Sequence, residues 1–195
     1  MEPVSADLEG VPVYRYRPRL MGGDFALALA PDALEWSNGR RSGRLAYGDI
    51  KRLRVSFQPS NLMTKRCVCE IWPRSGGRLT VPSSSPRSLF DFTDHGPQFR
   101  AFVTALVRKV GGIARLEAGM AAWRWWPMMI VTFAVLGVAF VLGLRALLTG
   151  ETMLGLAALG FGGLLAWQMG NLIVRNRPRV FSPNAIPPGV LPRRM

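Results

Sequence analysis

The densest group of chemistry-bearing side chains in this 195-residue chain is Asp91-x-x-Asp94-His95. Two carboxylates and an imidazole within five residues have the donor types for a divalent cation. Nothing else in the sequence completes such a shell. His95 is the single histidine, and no Glu-x-x-His or second carboxylate cluster exists. The plainer reading is a polar turn ahead of a helix, with Asp94 favoured by the positive end of the helix dipole. Cys67-x-Cys69 places two thiols on one face of a strand, but two thiolates alone make a poor metal site. They read as small core-facing or edge-facing residues. Ser83, Ser84, Ser85 and Ser88 have no neighbouring base and no nucleophile-elbow pattern. Gly76-Gly77 is a hairpin turn, since no lysine follows at the spacing of a phosphate-binding loop. The expectation is a non-catalytic protein with no metal and no cofactor.

Two apolar runs dominate the C-terminal half. Trp126 to Leu144 and Thr152 to Val174 contain no charged residue. About 20 predominantly apolar residues suffice for a helix to cross a ~30 Å hydrocarbon core. Within lipid every backbone polar group must be paired inside the segment, so each run is predicted to be a helix. The connector, Arg145 to Glu151, is too short for a domain, and the pair reads as a transmembrane hairpin.

Charge sets the expected sidedness. Residues 1–124 carry 19 Lys+Arg against 11 Asp+Glu, and residues 175–195 carry 5 Arg and no acid. Positive charge near helix ends marks the cytoplasmic side. Arg115 and Arg124 precede the first span, and Arg175, Arg177 and Arg179 follow the second. These five are the candidate contacts to an anionic leaflet. Trp123, Trp125 and Trp126 sit where an interfacial aromatic belt would sit on the same face. Both termini are expected in the cytoplasm, at a bacterial-type inner membrane. The first 25 residues hold no apolar signal-peptide core, so the cysteines are expected in a reducing compartment, without a disulfide. The net charge of +13 also invites a nucleic-acid reading. An anionic leaflet, at about 1 kcal/mol per nearby Lys or Arg, is the simpler partner.

The first half alternates. Val13–Arg17 is at best an edge strand, because Pro18 ends it. Phe25–Leu29, Leu34–Trp36, Arg44–Tyr47, Ile50–Phe57, Cys67–Trp72 and Arg78–Val81 are separated by turn signals such as Ser37-Asn38-Gly39 and Ser75-Gly76-Gly77. Pro82 to Pro86 reads as a loop. About five to seven short strands predict an antiparallel barrel or sandwich. From Pro97 the period changes. Phe99, Phe102, Val103, Leu106, Val107 and Val110 form the stripe of an amphipathic helix, with Gly111-Gly112 as its stop. So wide an apolar face must pack on the β layer, at the mouth of a small barrel.

The carrying segments are "FALALAPDALEW", "LAYGDIKRLRVSF", "CVCEIWPRSGGRLTV" and "PQFRAFVTALVRKV", with a Tyr47-x-Asp49-Ile50 step entering a basic strand. Over about residues 24–113 this order resembles the bacterial membrane-anchored pleckstrin-homology-like (PH-like) domains. The resemblance implies about seven strands capped by a C-terminal helix, and a binding or interaction module rather than an enzyme. It does not carry over phosphoinositide binding, because no basic cluster matches the eukaryotic lipid-binding loop.

The expected organisation is an N-terminal arm (1–22), a PH-like cytoplasmic domain (23–115), a juxtamembrane linker (116–125), the two-helix transmembrane hairpin (126–174) and a Pro/Arg-rich tail (175–195). Residues 1–115 are expected to fold without the hairpin. The tail is either a disordered stub or an extended strap on the domain or the headgroups, and we favour the strap. In the second span Ala158, Gly162, Ala166 and Gly170 form a small-residue ridge for helix–helix packing, against Ala139 and Gly143 or another copy. Gln168 and Asn171 read as interfacial polarity or as interhelical hydrogen-bonding groups. The expected partners are the bilayer, crossed twice, and a protein or second copy engaged through the hairpin. The expected role is binding or assembly at the membrane; the alternative is a regulatory or accessory subunit of a membrane enzyme or transporter.

Overall fold

Alternating sequence builds the first sheet. In the computed structural model, which describes residues 13–18, 23–58, 66–87 and 92–192, four strands form an antiparallel meander: β1 (Val13–Tyr16), β2 (Phe25–Leu29), β3 (Ala33–Ser37) and β4 (Ser42–Ala46). On β1 the tyrosines are buried and Val13 and Arg15 are exposed. Asn38 makes the β3–β4 turn. Its Oδ1 accepts the N–H groups of Arg40 (3.0 Å) and Arg41 (2.7 Å), and Gly39 takes φ +79°.

A second meander follows, β5 (Ile50–Phe57), β6 (Cys67–Pro73) and β7 (Leu79–Pro82). Leu53, Val55, Ile71 and Val81 are fully buried in it. The two sheets are tied at their edges by side chains. The Tyr14 hydroxyl donates to the Pro82 carbonyl (2.6 Å), and the Tyr16 hydroxyl donates to the Thr80 carbonyl (2.9 Å). Where a loop was expected, β8 (Ser84–Pro86) pairs with β9 (Phe92–Asp94). Its serines are buried and its strands are only three residues long, too short for alternation to show. Helix α1 (Gly96–Val110) then buries all six residues of the expected stripe. Tyr14 stacks against Phe102 and meets Phe99 edge-on, linking helix and sheet.

The expected linker 116–125 and the boundary at 115 are corrected here. Arg115–Ala118 is a strand, β10, lying parallel to β5 with Leu116 opposite Leu53. Leu116 and Ala118 are buried while Arg115 and Glu117 point away. The tail returns to the same sheet. β11 (Arg179–Val180) pairs antiparallel with β10, giving the order β11-β10-β5-β6-β7. The strap reading of the tail therefore holds, and it lies on the β unit. The Phe181 N–H donates to the Leu116 carbonyl, Val190 and Leu191 are buried, and Arg100 Nη1 donates to the Pro192 carbonyl at 2.8 Å. Pro183 lies at Gly111 and Pro192 at Gly96, so the strap runs antiparallel to α1 from one end to the other. A Cβ at Gly111 would overlap Pro183. The expectation that five prolines would keep the tail out of any sheet is corrected by β11; beyond that two-residue strand the tail is mostly extended, a path that proline tolerates. A fragment ending at residue 115 would lack most of β10, all of β11 and the strap.

Residues 120–178 form the other compact unit. It holds α2 (Ala122–Leu148) and α3 (Thr152–Arg175), two helices long and apolar enough to cross a membrane. At 1.5 Å per residue they are about 40 and 36 Å long. The turn is tighter than the expected connector, because α2 runs through Arg145 to Leu148. Gly150 at φ +86° closes it: the Glu151 N–H donates to the Ala146 carbonyl (2.9 Å) and the Gly150 N–H to Leu147 (3.4 Å). That is a Schellman motif, which satisfies the last carbonyls of a helix.

Candidate functional site: the apolar hairpin and its flanking charges

The hairpin presents its large apolar side chains outward. Ile130, Val131, Phe133, Phe140 and Val141 of α2, and Met153, Phe161 and Trp167 of α3, are all more than half exposed. Where the helices meet at Gly143 and Gly155, leucines of the facing helix pack onto the glycines. A Cβ at Gly155 would sit 2.6 Å from Leu147 Cγ and 2.9 Å from the Gly143 carbonyl. One at Gly143 would sit 2.9 Å from Leu159 Cγ. The closest approach is therefore Gly143 against Gly155, and Gly155 was missed in the sequence reading.

The four residues of the expected ridge are placed differently. Gly162 faces α2, where an added Cβ would lie 3.6 Å from Ala139. Ala158 and Ala166 line a groove of about 430 Å³ between the helices, with Gly162. At Gly170 an added Cβ would meet nothing within 4 Å, so Gly170 is outside this contact. The reason is geometric. A spacing of four residues advances by about 40° more than a full turn in a helix of 3.6 residues per turn, so a strict four-residue ridge winds away from its partner.

The tryptophans divide. Trp123 and Trp126 are 76% and 55% exposed. Trp125 turns inward: it is buried, and its Nε1–H donates to the Ile173 carbonyl at 3.0 Å. It ties the start of α2 to the last turns of α3 rather than serving the belt. Thr132 is satisfied within α2 by donating to the Met128 carbonyl at 2.8 Å. Gln168 and Asn171 are both exposed.

The five flanking arginines fall in both units. Arg124, Arg175 and Arg177 belong to the hairpin unit; Arg115 and Arg179 lie on β10 and β11 of the β unit. Arg115 is less available than expected, because its Nε lies 3.1 Å from Glu117 Oε1. Glu117 also accepts from Arg54, whose Nε is at 3.0 Å. Arg52 stacks over Trp72 at 4.1 Å. One carboxylate thus organises the charges on β10 and β5.

The remaining sequence candidates all lie in the β unit. Asp94 Oδ1 accepts the Gly96 N–H at 2.9 Å, the polar start of α1 that the bland reading expected. His95 Nε2 lies 3.1 Å from Ser85 Oγ, and Asp91 and Ser88 lie outside the described residues. Among the described residues no three His, Cys, Asp or Glu side chains converge. Cys67 and Cys69 are buried on β6, neither forms a disulfide, and burial pushes the Cys69 thiol pKa well up. Ser83 Oγ accepts the Cys67 N–H at 2.9 Å, a structural bond across β6. Comparison with known proteins finds no match to this chain among family models, curated proteins or solved structures.

Proposed function

We propose that this chain is a membrane-anchored binding or assembly module at the cytoplasmic face of a bacterial-type inner membrane, non-catalytic, with both termini and the β unit on the cytoplasmic side. The observation that carries the reading is the outward apolar surface of α2 and α3, which carries no charge between Trp126 and Leu144 or between Thr152 and Val174. Water does not tolerate so large a continuous apolar surface; a bilayer does. The pairing of β10 with β11 supports a common side for the two ends, since neighbouring strands lie about 4.8 Å apart. Two meanders of four and three strands, with α1 after the short β8–β9 hairpin, support the PH-like resemblance. Arg124, Arg175 and Arg177 supply leaflet attraction at the base of the hairpin.

A second reading, an accessory subunit of a membrane enzyme or transporter, draws on the open groove between α2 and α3. Phe133, Gly137, Phe140 and Gly163 line it along with the ridge, and it would accept a helix from a larger partner. Crosslinking in native membranes followed by affinity purification separates the two. A specific non-enzymatic partner or a homo-oligomer supports the module. Stoichiometric recovery with an enzyme or transporter supports the accessory subunit. Membrane anchoring is tested apart from that: the chain should stay in the pellet after alkaline carbonate washing. Replacement of residues 120–178 by a short Gly-Ser turn, bridging paired β10 and β11, should release a folded β unit. Release of the intact chain by carbonate would defeat the anchor.

A further inference from the structure

The face of α3 that points away from α2 carries a pattern of its own. Leu154, Ala157, Phe161, Leu164, Gln168 and Asn171 recur at alternating spacings of three and four residues, and all of them are exposed. That is the seam spacing of helices that wind around each other as a left-handed pair. α2 does not cover it. Leu159 packs onto Gly143 of α2, and Gln168 lies nine residues further on, about two and a half turns, which puts the seam on the opposite side of α3. Two of the seam positions are amides. Among the described residues neither Gln168 nor Asn171 has a hydrogen-bond partner, so the interhelical bond expected of them is not made to α2.

We propose that a second copy of this chain covers this seam, α3 against α3 in parallel, with Gln168 meeting Gln168 and Asn171 beside it. The inference rests on the bilayer reading above and names the partner of the hairpin. Depth supplies the need. Trp125 is tied to the Ile173 carbonyl, which sets the tryptophan cluster level with that residue. Gln168 lies five residues deeper, about 7.5 Å along α3, where hydrocarbon offers an amide no partner. Complementarity supplies the occupant. Copies inserted the same way present α3 in parallel, so each seam residue faces its own kind across a two-fold axis. An amide both donates and accepts, and so pairs with its own copy. A polar group within an apolar seam also fixes register and oligomer state.

The test uses the full chain with Leu164→Cys, diluted into lipid vesicles and oxidised with copper phenanthroline, which links thiols that meet. The native cysteines are buried and should stay silent. A disulfide-linked dimer is expected. Leu156→Cys, 61% exposed on the same helix but off the seam, should give little. Energy transfer between fluorescently labelled copies then reads the association constant. Gln168→Leu should lower it about threefold for each hydrogen bond lost, and adding Asn171→Leu should lower it further. Both changes make α3 more apolar, so a loss of pairing is not a loss of insertion. Monomers in the vesicles would overturn the proposal. So would equal crosslinking at 156 and 164, or association indifferent to Gln168→Leu with Asn171→Leu. Carbonate washing of the same vesicles reports anchoring separately: anchored monomers overturn the pairing and leave the anchor standing, whereas release of the chain defeats both.

Discussion

Leucine and phenylalanine behave in opposite ways in the two units. In the β unit Leu53 and Phe99 are fully buried, and the polar groups beside them are matched: the tyrosine hydroxyls reach carbonyls, and Glu117 gathers arginines. In the hairpin Phe133 and Leu142 are 63% and 56% exposed, and the helices meet where Leu147 and Leu159 pack onto Gly155 and Gly143. The first pattern is that of a chain closing its core against water. The second is the pattern expected if, as proposed, a bilayer surrounds the hairpin, where close packing drives association because burial of large apolar side chains gains little. The two units are stabilised by different physics, so the same type of substitution should have different consequences in each.

The largest contrast concerns one residue type. Phe102→Ala empties a fully packed site against Tyr14 and should destabilise the β unit by about 3–5 kcal/mol in chemical denaturation. Phe133→Ala should leave that unfolding transition unmoved, since its side chain meets solvent rather than core. Equal losses at the two positions would break the comparison.

The next effect inverts size. In the hairpin it is enlargement that should do damage. Gly155→Leu must displace Leu147 and the Gly143 backbone, an overpacking cost of about 1–3 kcal/mol. The loss would be read as faster proteolysis of the hairpin or as a changed oligomeric state. Gly162→Leu should do less, because the nearest neighbour at 3.6 Å is the Ala139 methyl, and Gly170→Leu should do nothing. An unchanged Gly155→Leu protein would mean that the helices do not meet there.

The smallest effect is alkaline and confined to the β unit. All three tyrosines, Tyr14, Tyr16 and Tyr47, are buried, and burial is the main cause raising each phenol pKa; Tyr47 is pushed up to about 12. A raised folded-state pKa contributes stability that is intact below the unfolded value near 10. That stability is lost as pH climbs toward the folded value, so the loss for Tyr47 should run from about pH 10 to 12. Phenolate absorbance should therefore appear together with loss of β structure. Free titration at pH 10 in a still-folded protein would contradict the burial of these rings.

Sequence alone carried the parts with a long, single period. The six-residue stripe of α1 and the apolar runs of α2 and α3 were readable because each extends over at least three turns. The long strand β5 was readable because Leu53, Val55 and Phe57 keep one face. Short elements were lost. β8 and β9 have three residues each, and Ser84–Pro86 has the composition of a loop. β10 alternates correctly, but over four residues between a Gly-Gly stop and a tryptophan cluster it looked like a linker. The partner that makes it a strand, β5, is more than fifty residues away. The site was legible in type and not in place. Three adjacent-looking tryptophans differ because Trp125 finds a carbonyl on α3, and Gly155 matters because the helices cross there; neither fact has a local signal.

The most direct measurement is thiol labelling from the two faces of sealed membrane vesicles with an impermeant maleimide. The native cysteines are buried and should stay silent in the folded chain. An Arg40→Cys variant reports the exposed β3–β4 turn, and a Glu151→Cys variant reports the turn between α2 and α3. The account predicts labelling at 151 only in right-side-out vesicles and at 40 only in inside-out vesicles. Labelling of both variants from the same face would show that the hairpin does not cross the bilayer.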